Sequence, residues 1–104
     1  MHADLAFDSL TNLSRLLAAG QVSSVEIVDA CLARIAALDD RLHAFIDVYG
    51  DEARAMGEAA DRDRRAGAAR GPLYGLPIAL KDLLHFAGHQ TTAGAKSWLG
   101  RRSD

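Results

Sequence analysis

Two charges stand side by side in the least polar part of this sequence. Lys81 and Asp82 lie inside the run Ile78-Ala79-Leu80-Lys81-Asp82-Leu83-Leu84. The chain's two prolines, Pro72 and Pro77, precede the run, and Gly71, Gly75, Gly88 and Gly94 punctuate its flanks. An apolar run between such loops reads as a buried strand, over 77–84. Side chains alternate faces along a strand, so Lys81 and Asp82 should point to opposite sides and cannot easily neutralise each other. Each must find a partner elsewhere, reach the sheet end, or bear the cost of a buried charge. A strand-end lysine snorkelling to water fits this pattern without any function. A desolvated lysine that sheds its proton fits it with one, as a general base. Bringing a lysine from about 10.4 to about 7 takes roughly 4 to 5 kcal/mol of differential environment. Arginine occurs ten times in the chain and lysine only twice, at Lys81 and Lys96. Arginine stays charged, so a sparing use of lysine suits a site where the proton must leave, although a GC-rich gene favours arginine too.

Other groups compete for attention and carry less. His85 and His89 have the i,i+4 spacing of a helical zinc pair, but Gly88 lies between them and no third ligand cluster accompanies them, so no metal is expected. Gly94-Ala95-Lys96-Ser97 lacks the glycine of a phosphate loop before its lysine and has Gln90 where the first glycine should stand. Thr91, Thr92 and Gly94 read as a structural loop near the site, and Trp98 as packing. Cys31, the single cysteine, can form no internal disulfide and reads as a small buried hydrophobe in a reducing compartment. Arg62, Arg64, Arg65 and Arg70 are offset by Asp61 and Asp63, which makes a solvated helix face rather than a nucleic-acid surface.

The elements that must hold Lys81 are mostly helical. Leu10, Leu13, Leu16 and Leu17 recur at helical spacing before Gly20, giving a helix over about 9–19. Ser23 and Glu26 form a capping-box pattern that opens a second helix over about 24–38, with Val28, Cys31, Leu32, Ile35 and Leu38 as its apolar stripe. Ala44–Tyr49 reads as a short strand ended by Gly50. Asp51 is the expected cap of a third helix, about 52–66, with Glu58–Arg62 and Asp61–Arg65 as i,i+4 pairs. Strand, helix, strand is a right-handed parallel crossover. Two strands cannot bury a central one on both faces, so the sheet is incomplete within residues 1–104. Ser103-Asp104 also reads as a helix start with nothing after it.

Read as a whole, GPLYGLPIALKDLLHFAGHQTTAG resembles the N-terminal part of the amidase signature family. The match runs through Gly71-Pro72-Leu73, Gly75 to Asp82, Ala87-Gly88 and Thr91-Thr92-Ala93-Gly94. The upstream SSVEIVDACLARIAALDDRLHAFI resembles the same family's early helices and first strand, so the resemblance covers essentially the whole chain. It implies an α/β fold, the N-terminal part of an α/β/α domain with a mixed sheet, in chains several times longer. It implies hydrolysis or transfer of a carboxamide nitrogen through a serine acyl-enzyme, without cofactor. Its triad is a nucleophilic serine, a bridging serine after a cis peptide bond, and a lysine that maps onto Lys81. Neutral Lys81 would accept the bridging serine's proton while that serine takes the nucleophile's. The family's serine-rich segment and oxyanion hole lie downstream of Asp104, and neither Ser97 nor Ser103 has the right surroundings to replace them. Ala95 stands where the family loop usually has serine, a minor departure.

Composition agrees with an ordinary soluble domain. The chain has 104 residues, 49% apolar and 25% charged, with net charge −2. This charge predicts neither a nucleic-acid nor a membrane partner, and no apolar run reaches membrane-spanning length. The N-terminus lacks a secretory signal pattern. The expectation is the N-terminal segment of a cytoplasmic amidase acting on a small-molecule amide. It would be inactive until joined by the missing C-terminal remainder of the domain. The alternatives are the A subunit of a tRNA-dependent amidotransferase, a non-catalytic helical interaction module, and a Schiff-base enzyme using Lys81.

Overall fold

The computed structural model describes residues 4–102. It contains α1 (Leu10–Ala18), α2 (Ser24–Leu42) and α3 (Gly50–Arg65), with short 3-10 turns at Leu5–Phe7 and Lys96–Trp98. The Ser103-Asp104 helix start lies outside the described residues.

Local chemistry explains each helix boundary. Ser9 Oγ accepts from the Asn12 amide and caps α1. At α2 the Ser23–Glu26 box forms in both directions, 3.0 Å from the Glu26 amide and 3.2 Å to the Glu26 carboxylate. α2 runs past the expected 38 to Leu42. It ends where His43 takes φ 50° and the Asp39 carboxylate accepts from the Ala44 and Phe45 amides. Asp51 does not cap α3. The helix starts earlier, at Gly50, and Asp51 lies in its first turn.

The core is made by the first third of the chain. Leu5, Leu13, Leu17, Val22 and Ile27 bury together, with Leu16, Ala30 and Leu76 against them. On α2 the deepest apolar residue is Ile27, beside the stripe read from the sequence; Val28 is buried, while Cys31, Leu32, Ile35 and Leu38 are half-buried. α3 packs on the start of α2 through its small residues. A side chain at Gly57 would meet the Ser24–Val25 backbone at 3.5 Å, and Ala60 is buried nearby. Asp61 turns inward and accepts from the Ser24 and Val25 amides at 2.7 and 3.2 Å. It therefore satisfies two orphan donors of α2 instead of pairing with Arg65. Glu58 likewise pairs with Arg54, at 2.8 Å, and not with Arg62; Arg54 also bridges to Asp29 on α2.

The two expected strands do not form. Among the described residues there is no strand; Gln90 and Arg102 make an isolated antiparallel bridge. Segments 44–49 and 77–84 are irregular, because a strand exists only where a neighbour takes up its amides and carbonyls, and these two segments do not pair. The radius of gyration, 15.1 Å, exceeds the roughly 13 Å of a closed domain of this length. The mixed sheet is thus absent among the described residues.

Candidate active site

Residues 71–76 anchor the candidate site to the helices. Ser14 Oγ donates to the Pro72 carbonyl at 2.7 Å, and Arg64 Nη2 to the Tyr74 carbonyl at 2.8 Å. The Tyr74 hydroxyl donates to Asp63, which holds the phenol above its ordinary range. Gly75 has φ +82°, and a Cβ there would lie 2.3 Å from Ser24 Oγ. Only glycine allows both the turn and this approach. Leu76 then enters the core, and the chain leaves the helices.

Lys81 follows on the exposed side of this anchor. Its neighbours Ile78, Leu80, Leu83 and Leu84 are 74, 46, 59 and 56% exposed, and Lys81 is exposed too. The buried strand expected around it is absent, so the described residues do not desolvate its ammonium. Lys81 makes no salt bridge among the described residues.

The backbone at Lys81 is nevertheless fixed. The Leu84 amide donates to the Lys81 carbonyl at 2.9 Å, closing a turn over 81–84. The loop 91–94 grips that turn. Thr92 donates its amide, at 2.9 Å, and its hydroxyl to the two Asp82 carboxylate oxygens. The Ala93 amide donates to the Asp82 carbonyl at 2.9 Å, and Thr91 Oγ1 to the Leu84 carbonyl at 3.2 Å. Thr91 and Thr92 are both 4% exposed. Hydrogen bonds from the Thr92 side chain and backbone hold the Asp82 carboxyl below the usual carboxylate range. Ala93 (φ 50°) and Gly94 (φ 74°) are both left-handed, and the Ala95 amide returns to the Thr92 carbonyl at 2.8 Å. A left-handed alanine is strained, and the bonds to Asp82 and Thr92 keep it so.

His85 and His89 do not act as a pair. His89 stacks on Phe86 at 4.3 Å and on Tyr49 at 4.0 Å, and its Nε2 lies 2.9 Å from Glu52 at the start of α3. Gln90 donates to Asp47 at 2.8 Å. Residues expected in a strand, Asp47 and Tyr49, thus dock the loop 86–90. Trp98 carries Arg101 over its ring at 4.5 Å. Half-buried Cys31 has its thiol pushed up by burial and by Asp4, as suits an unreactive packing residue.

Sequence reasoning paired Thr91 and Thr92 with the site but assigned Asp82 no partner. The signal available was the distance in sequence between a charged residue in an apolar run and a threonine pair ten residues on; spacing across a loop does not reveal contact.

The sequence profile of the family described as Amidase matches residues 26–104. The A chain of the glutamyl-tRNA(Gln) amidotransferase of Chloroflexus aurantiacus is 43% identical over 94 residues, 90% of this chain and 19% of that protein. An amidase of Pseudomonas putida is 41% identical over 87 residues, 84% of this chain and 18% of the relative. The peptide amidase of Stenotrophomonas maltophilia superposes with a TM-score of 0.88 at 39% identity, over 95% of this chain and 21% of its own. The chain therefore spans about a fifth of the length of each. With the profile covering most of its residues and the backbone following that of a solved relative, the chain belongs to the amidase signature family.

Proposed function

We propose that this chain is the N-terminal portion of an amidase that cleaves carboxamide C–N bonds, and that Lys81 is the terminal base of its serine–serine–lysine relay. The observation that carries this reading is the placement of Lys81, an exposed lysine on a turn whose backbone is braced by the buried Thr91-Thr92 loop. In the proposed reaction the nucleophilic serine oxygen attacks the amide carbon. Its proton passes to the bridging serine, whose own proton passes to neutral Lys81. The proton returns to the departing nitrogen as the C–N bond breaks, and water then releases the acyl group. The remainder of the amidase domain supplies both serines. Its chain would cover the exposed apolar side chains of 77–84 and desolvate Lys81, with the 81–84 turn kept in place. The substrate is a small amide, no cofactor takes part, and the enzyme works in the cytoplasm, where a lone cysteine needs no partner.

The identity to the amidotransferase chains, 43% for that of Chloroflexus aurantiacus, favours a second reading in which the nitrogen is transferred with partner subunits. Ammonia released to water marks the hydrolase, and release coupled to an acceptor marks the amidotransferase.

The test joins this chain to the remaining four-fifths of the Pseudomonas putida amidase, in place of that enzyme's matching segment. The chimera should hydrolyse simple amides, and Lys81→Ala and Lys81→Arg should each lower kcat by at least about a thousandfold. Wild-type turnover by Lys81→Ala would overturn the relay. The 104-residue chain alone should be inactive; metal-independent hydrolysis abolished by Lys81→Ala would overturn its dependence on the remainder.

A further inference from the structure

A general base works only from a fixed position, and a lysine carries its amine on four flexible carbons. Whatever fixes the amine must begin with the backbone. In this structure the backbone of Lys81 is fixed from its C-terminal side, by the Leu84 amide at its own carbonyl and by the anchoring of Asp82. Asp82 receives three bonds from loop 91–94, two at its carboxylate from Thr92 and one at its carbonyl from Ala93. The loop adds a fourth at Leu84, the other end of the turn. Thr91 and Thr92 are the buried residues of this region, Asp82 is half-buried against them, and Lys81, Leu83 and Leu84 are exposed. The direction of support therefore runs from the threonines to Asp82 and from Asp82 to Lys81. The Asp82 carboxylate is committed to Thr92 and makes no salt bridge with the Lys81 ammonium, which leaves the amine available as a base requires.

We propose that Asp82 is the positioning residue for Lys81: clamped by Thr92 and Ala93, it sets the turn from which the lysine reaches its serine. The proposal rests on the relay reading above. Thr92 is its second member, and its hydroxyl distinguishes this clamp from a simple turn.

The test has two arms. In the chimera, Asp82→Ala should lower kcat per titrated active site about a hundredfold with KM within about threefold, the order of loss expected for a reacting group displaced by about 1 Å. Asp82→Asn, which keeps an acceptor for the Thr92 amide, should recover at least about tenfold of that loss, and Thr92→Val should fall between. A merely structural role would reduce the number of active sites and leave kcat per site unchanged. In the 104-residue chain, Asp82→Ala should shift the backbone NMR resonances of Lys81, Thr92 and Ala93 while those of α1 and α2 stay in place. Unmoved Lys81 resonances would overturn the clamp. A dead Lys81→Ala with unaltered kcat in Asp82→Ala would overturn the positioning role alone, and a fully active Lys81→Ala would overturn relay and clamp together.

Discussion

Residues 5–30 and residues 77–84 are both rich in large apolar side chains, yet they end in opposite environments. In the first region the apolar side chains that face inward find a helix to meet; Leu17 and Ile27 are 1 and 0% exposed. In the second, Ile78 is 74% exposed, and Leu80, Leu83 and Leu84 are 46, 59 and 56% exposed. The difference is in what each element needs from its surroundings. A helix satisfies its own backbone and asks only for cover on one stripe, whereas a strand needs neighbours for its backbone as well as for both faces. Hydrophobicity alone says that both regions are meant to be covered; backbone accounting says which can be covered from within.

This contrast can be broken by mutation. Ile27→Ala should cost about 2 to 5 kcal/mol in urea unfolding followed by circular dichroism, since the site is closed on all sides. Ile78→Ala in the same chain should change stability by no more than about 0.5 kcal/mol, and a loss comparable to that of Ile27→Ala would abolish the distinction. The hinge between the regions comes next. Gly75→Ala combines a left-handed backbone with contact on Ser24 Oγ and should cost about 2 to 4 kcal/mol, with Leu76 withdrawn from the core in the NMR contacts. Asp61→Ala should cost about 1 to 2 kcal/mol by leaving the Ser24 and Val25 amides unsatisfied, read from faster amide exchange at both. The smallest effect is one of pH. Asp82 is held below its ordinary range by Thr92, so its clamp is fully present above the unfolded carboxyl value, near 3.8, and is lost as pH falls through the lower folded value. The Thr92 amide resonance should stay constant from neutral pH to about 5 and move only in strong acid; a transition near pH 6 would refute the assignment.

The helices are legible because their signals are local. Ser23 and Glu26 sit three residues apart and cap α2 as their spacing says, and Leu13 and Leu17 lie on the buried face of α1. Lys81 stands out by its chemistry, an ionisable group in an apolar run. What escapes depends on residues distant in sequence. Spacing gives Asp61 to Arg65, four residues away, but Asp61 meets amides thirty-six and thirty-seven residues away. Segments 44–49 and 77–84 have strand composition, yet the structure of a strand is a property of pairs. Asp82 looks unpartnered in the sequence because its partner lies across a loop.

The placement of Leu76 sets an order of assembly. The other members of its core, Leu5 to Ile27, are close together in sequence and need only short loops to meet. On a ribosome adding about 5–20 residues each second, they emerge roughly 2 to 10 s before Leu76 does. The helical unit thus has time to form first and wait, and Leu76 arrives as a plug that ties the segment after it to a finished base. Ile78, Leu80, Leu83 and Leu84, which follow the plug and stay exposed, are the part of the nascent chain that a chaperone would hold.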